Sequence, residues 1–170
     1  MSHLESIVAE YLDWRGFLVK RNTKVGRLSH GGWEMEIDIV AFHPRSKVLL
    51  HCEPSIDALP WTKRELRYQK KFEAGRKYIF KDIFPWLEPT VHLRQIAIFI
   101  NHPKHKDTVA GGEVLSIDEV MAEIRNAVLG IGKMYSNAIP EQFPLLRTLQ
   151  LSHSGYFGVV AGRKDAELAP

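Results

Sequence analysis

Glu34-Met35-Glu36-Ile37-Asp38-Ile39-Val40-Ala41-Phe42 and, after a short turn, Lys47-Val48-Leu49-Leu50-His51-Cys52-Glu53-Pro54-Ser55 decide how this chain folds. Both stretches alternate with the two-residue period of a strand. Met35, Ile37, Ile39 and Ala41 fall on one face of the first, and Glu34, Glu36, Asp38, Val40 and Phe42 on the other. In the second, Val48, Leu50 and Cys52 oppose Leu49, His51 and Glu53. His43-Pro44-Arg45-Ser46 reads as the turn between them. Pairing Phe42 with Lys47 sets Asp38 opposite His51 and Glu36 opposite Glu53, so that Asp38 and Glu53 are diagonal neighbours on one face. The same register gathers Ile37, Ile39, Ala41, Val48, Leu50 and Cys52 on the other face as a core. Carboxylates crowded in this way repel one another unless an ion or protons join them.

Around this hairpin the chain reads as alternating helix and strand. Ser2–Arg15 has the apolar stripe Leu4, Ile7, Val8, Tyr11 and Leu12, opens on a Ser2/Glu5 capping box and stops at Gly16. Phe17–Val25 is a strand, and 26–32 (GRLSHGG) a loop. Residues 54–60 form a second loop, and Trp61–Phe80 a long charged helix with Trp61, Tyr68, Phe72 and Ile79 near one stripe. His92–Asn101 (HLRQIAIFIN) is a mostly buried strand. A polar loop over 102–112 precedes a short strand at Val114–Leu115. A helix opens at Ser116 with Glu119 three residues on and ends near Gly130 or Gly132. Residues 135–151 carry Pro140 and Pro144 and have no clear assignment. The expectation is one domain over 1–162 with a flexible tail at 163–170.

Composition bounds the function classes. With 170 residues, 45% hydrophobic and 25% charged, the chain is an ordinary globular domain with room for a core. A net charge of +3 permits a polyanionic partner without demanding one. Cys52 is the single cysteine, which excludes an intramolecular disulfide and a Cys-based zinc motif. It falls at an inward strand position, as a structural thiol does. No run approaches the length of a membrane span, and a reducing cytoplasm is the expected compartment. The 26–32 loop lacks the Lys-Ser/Thr of a phosphate-binding loop, and His102 and His105 lie in a polar loop.

The element order α-β-β-β-α-β, with the acidic second strand and Leu49-Leu50-His51-Cys52-Glu53-Pro54-Ser55 on the third, resembles the PD-(D/E)XK nuclease superfamily. The segment from Leu4 and Glu5 to Gly16-Phe17 is similar to the first helix and strand of Mrr-type nucleases and archaeal Holliday-junction resolvases. The resemblance covers about residues 2–100. It implies a restriction-endonuclease-like αβββαβ core, a mixed central sheet flanked by helices, here with a C-terminal helical extension. It also implies Mg²⁺- or Mn²⁺-dependent hydrolysis of DNA. Asp38 and Glu53 would be the metal ligands, joined by the Cys52 backbone carbonyl and by Glu5, with Glu36 as an alternative helper. A homodimer is a further implication, because two strands need two sites; the apolar, proline-bearing segment 139–151 is the one interface signature.

The chain departs from that pattern at Ser55, where the family has a lysine that orients the attacking water and offsets phosphate charge. Some relatives recruit this lysine from the following helix, where Lys70 and Lys71 stand. Lys71, three residues after Tyr68, lies beside the stripe facing the sheet, while Lys70 is rotated about 100° away. Lys71 is therefore expected to reach the carboxylates, and Lys71→Ala to spare stability as a change near solvent. Two other readings stand beside the enzyme: a catalytically inactive relative that binds nucleic acid or a protein, with Ser55 marking the loss of chemistry, and a small α/β interaction protein whose acidic face holds no metal.

Overall fold

In the computed structural model, which describes residues 2–132 and 134–153, the Ser2 hydroxyl accepts a hydrogen bond from Glu5 N at 3.1 Å and caps helix α1, His3–Trp14. Three strands follow: β1 Leu18–Arg27, β2 Trp33–His43 and β3 Val48–Ser55. Helix α2, Trp61–Tyr78, runs into a π-helical turn at Ile79–Ile83. Strand β4, Leu93–Phe99, comes next, then the short β5, Thr108–Val109, and β6, Gly112–Ser116. Helix α3, Ile117–Gly130, opens on a reciprocal capping box: Glu119 N donates to Ser116 Oγ at 3.2 Å and Ser116 N to Glu119 Oε2 at 2.7 Å. Helix α4, Pro144–His153, begins inside the stretch 135–151 that has no clear assignment from sequence. The tail expected at 163–170 lies outside the described residues.

The architecture is α/β. Six strands form one open mixed sheet in the order β1-β2-β3-β4-β6-β5. The β1–β2–β3 meander is antiparallel, β3–β4 and β4–β6 are parallel, and β5 closes the far edge antiparallel. The parallel step from β3 to β4 needs a crossover, and α2 supplies it. Helix α2 buries Tyr68 and Phe72 against Ala97, Phe99 and Val114, and Ala74 and Tyr78 against Val40, Phe42 and Leu49. Helix α1 buries Leu4, Ile7, Val8, Tyr11 and Leu12. Among the described residues no helix is long and apolar enough to cross a membrane.

The chain divides into two compact units, 1–124 and 125–170. The first contains the whole sheet. In the second, the buried Gln150 of α4 accepts from Ile139 N at 2.9 Å and donates to Asn137 O at 2.8 Å, tying the preceding loop to its helix.

Two sequence expectations need correction. Phe42 pairs with Leu49, not Lys47, because the turn extends through Lys47, whose N–H bonds His43 O at 2.9 Å with a left-handed φ of 58°. This shifts the register by two residues, which keeps every side chain on its face but changes who stands opposite whom. Ile37, assigned to the face of Ile39, instead packs with Val25, Phe42 and Tyr78. The pleat is interrupted beside it: Asn22, between the paired Arg21 and Thr23, has a φ of 45°.

Candidate active site

Pro54 lies inside β3 rather than in the loop after it, paired with Ile98 of β4. Proline has no N–H to offer a second neighbour, and the β2–β3 ladder ends at Ile39 and Cys52, just before it. Asp38 and Glu53, the next residues on each strand, therefore face one another where the strands part. Asp38 N donates instead to Glu53 Oε1 at 3.2 Å. The two carboxylates are direct neighbours and not the diagonal pair of the sequence register.

A cation stands between them. Lys71 of α2 donates from Nζ to Asp38 Oδ2 at 2.8 Å and to Glu53 Oε2. Lys70 is exposed. The Glu53 side chain is wholly buried, and Lys71 and Asp38 are 13% and 15% exposed, so the group opens to solvent at Asp38 and Lys71 and not at Glu53. Burial, with Glu53 alongside, raises the Asp38 carboxyl to about 7. Burial pulls the Lys71 ammonium down, but the Glu53 and Asp38 charges outweigh it and the net shift is upward. The Ser55 hydroxyl is engaged elsewhere, accepting from Asp57 N at 3.2 Å.

Behind Glu53 lies a polar chain, buried at His51 and Gln95, that sequence reasoning missed. Arg76 donates to Gln95 Oε1 at 2.6 Å, which turns the Gln95 amide nitrogen toward Phe72 O at 2.8 Å and His51 Nδ1 at 3.0 Å. Arginine only donates, so this orientation is forced. His51 Nδ1 is then an acceptor, its proton sits on Nε2, and Nε2–H donates to Glu53 Oε1 at 2.8 Å. Burial, with the Lys71 charge adding to it, pushes His51 down to about 3, so the imidazole is neutral at physiological pH. Tyr68 OH holds the Glu53 carbonyl at 3.0 Å. Gly75 lets α2 pass over this chain: a Cβ there would stand 2.3 Å from His51 Nδ1. The available signal was Gln95 itself, a polar residue at the head of the apolar run Ile96–Phe99 of β4.

The remaining candidates are dispersed. Glu5 accepts from Asn22 Nδ2 at 3.4 Å, and Asn22 occupies the β1 position across from Asp38. Glu36 is exposed opposite Lys24. The Cys52 thiol points away from Glu53, and burial pushes it up to about 12. Its backbone belongs to the ladders on both sides, opposite Ile39 and Ile96.

The donor set suits a hard dication. Asp38 Oδ2 and Glu53 Oε2 converge on one ammonium, and magnesium needs one or two carboxylates because it keeps several waters. Among the described residues no third His, Cys, Asp or Glu joins them to form a fuller shell. No family model matches the chain, and no curated protein matches it.

Proposed function

We propose that this chain is a metal-dependent endonuclease of the restriction-endonuclease-like fold, hydrolysing DNA phosphodiester bonds with Lys71 in place of the lysine that Ser55 lacks. The observation that carries the reading is the Lys71 ammonium between Asp38 and Glu53, where two strands part at Pro54. The order α1-β1-β2-β3-α2-β4 supports it. Asp38 and Glu53 would hold Mg²⁺ or Mn²⁺, with Glu5 and the Cys52 carbonyl as further candidate donors. Such an ion neutralises the phosphate and lowers the pKa of a bound water.

The protein's own groups have separable roles in this reading. His51, with its proton fixed on Nε2, occupies Glu53 Oε1, so Oε2, the oxygen that Lys71 holds, is the one turned toward a ligand. Lys71 supplies a positive charge and three donors beside the carboxylates, as the developing charge on a phosphoryl group requires. Cutting both strands of a duplex calls for a second site, so a homodimer belongs to the same proposal.

The test is supercoiled plasmid with Mg²⁺ or Mn²⁺. Nicking or linearisation that a chelator stops, that Asp38→Asn abolishes and that Lys71→Arg partly retains is the expected result. No cleavage with either metal would overturn the enzyme reading. A binding-only relative is the second reading, and one observation favours it: the Lys71 ammonium pairs with both carboxylates at once.

A further inference from the structure

Away from the acid–lysine centre, β1, β2 and the π-helical turn form an open cleft of about 390 Å³ lined by Lys24, Gly26, Arg27, Trp33, Tyr78, Lys81 and Asp82. Arg27 and Trp33 are direct cross-strand partners. The turn closes tightly on the strand: Gly26 N donates to Asp82 Oδ2 at 3.2 Å, and a Cβ on Gly26 would stand 2.7 Å from the Tyr78 ring. Local π-helical winding, rare in itself and frequent at functional sites, is what brings Lys81 and Asp82 here.

The cleft's acids are spoken for and its bases are not. Asp82 accepts from Gly26 N, and the adjacent Glu34 is held by Lys77 and by Tyr78 OH. Lys24, Arg27 and Lys81 are exposed, and among the described residues none forms a salt bridge. Trp33 is 47% exposed beside these three cations. An indole face with unpaired cations around it is the combination that binds a single nucleic-acid strand: bases stack on the ring, and phosphates meet the cations. The position also fits the proposed cutting centre. Glu34, at the cleft's rim, lies four residues before Asp38 on β2, about 13 Å at the rise of a strand. A strand with one phosphate at Lys71 would reach the cleft within a few nucleotides.

We infer that this cleft binds single-stranded DNA, one base stacking on Trp33 while flanking phosphates contact Lys24, Arg27 and Lys81. The inference deepens the nuclease reading and rests on it for the substrate class. The experiment is fluorescence anisotropy of a labelled oligothymidylate with the full chain, in chelator and at low salt, so that no cleavage step enters.

Trp33→Ala should weaken binding roughly ten-fold or more, as loss of one stacked base does, and Trp33→Phe should restore most of it. Arg27→Ala and Lys81→Ala should each lower affinity and flatten its salt dependence, as loss of a phosphate contact does. Lys104→Ala, at an exposed lysine of the loop before β5, should bind like the wild type. Trp33→Ala binding like the wild type, with its denaturation midpoint unchanged, would overturn the inference. So would tighter binding of duplex DNA, or of RNA of the same length, than of the single-stranded oligonucleotide. The two proposals fail separately. Trp33-dependent binding without plasmid cleavage leaves the cleft standing and removes the enzyme, whereas cleavage with Trp33-independent binding does the reverse.

Discussion

Lys71 and Lys77 leave the same helix and each meets a glutamate of the sheet, Glu53 for the first and Glu34 for the second. Their surroundings differ. Lys71 is 13% exposed against a Glu53 with no exposure, whereas Lys77 and Glu34 are 59% and 42% exposed. In water the Coulomb attraction of such a pair is offset by hydration and side-chain entropy, and salt screens what remains. Buried, each charge depends on its partner, because removal of one leaves the other desolvated and uncompensated. One sequence pattern, a helix lysine over a strand glutamate, thus gives a structural determinant in the middle of α2 and a solvated decoration near its C-terminal end.

The largest expected effect breaks the buried member. Lys71→Ala should cost about 3–5 kcal/mol in urea denaturation at neutral pH, as loss of one partner of a buried pair does. This reverses the expectation from sequence that the change would spare stability, since the ammonium is enclosed between Asp38 and Glu53 rather than near solvent. An unchanged midpoint would mean that the pair is not desolvated in solution.

Next comes the packing that lets α2 approach. Gly75→Ala puts a Cβ 2.3 Å from His51 Nδ1 and 3.0 Å from Gln95 Nε2. Overpacking of this kind costs about 1–3 kcal/mol. NMR should also report faster exchange of the His51 Nε2 proton with water; an unperturbed imidazole signal would contradict the contact.

A subtler effect is the pH dependence on the buried side. Asp38 is raised from 3.8 to about 7, so across that range the folded state binds more protons and stability falls as pH rises. His51 is lowered from 6.5 to about 3, so there the unfolded state binds more protons and stability rises with pH. Between about pH 4.5 and 6.5 the two slopes oppose each other. Asp38→Asn should expose the His51 slope, giving a variant that loses stability on acidification through this window while the wild type stays nearly flat. Parallel denaturation series would show it, and equal slopes in the two proteins would refute the opposition.

The smallest effect belongs to the exposed pair. Lys77→Ala should leave the denaturation midpoint unchanged at physiological salt. A measurable loss would erase the contrast with Lys71.

Much of this was legible in the sequence, for reasons that are local. Alternation at two residues placed Asp38 and Glu53 on one face of the hairpin, and the helical repeat placed Lys71, not Lys70, beside the buried stripe. Ser2 and Ser116 marked two helix starts through short-range capping chemistry. What the sequence by itself determined was therefore the main helices and strands of the sheet, the face on which Asp38 and Glu53 lie, and the residue types available to the centre; the face of Ile37 and helix α4 were not among them.

Only the tertiary structure decided the offsets between elements. A slip of two residues keeps every face intact, so periodicity cannot distinguish Phe42 opposite Lys47 from Phe42 opposite Leu49. The left-handed Lys47 set that register, and Pro54, inside the strand, set where the ladder stops. The His51–Gln95–Arg76 chain joins three elements, and its links span 44 and 19 residues of sequence. Its reason is desolvation. A glutamate taken out of water must find donors wherever the packed chain brings them, and that is a property of the whole fold.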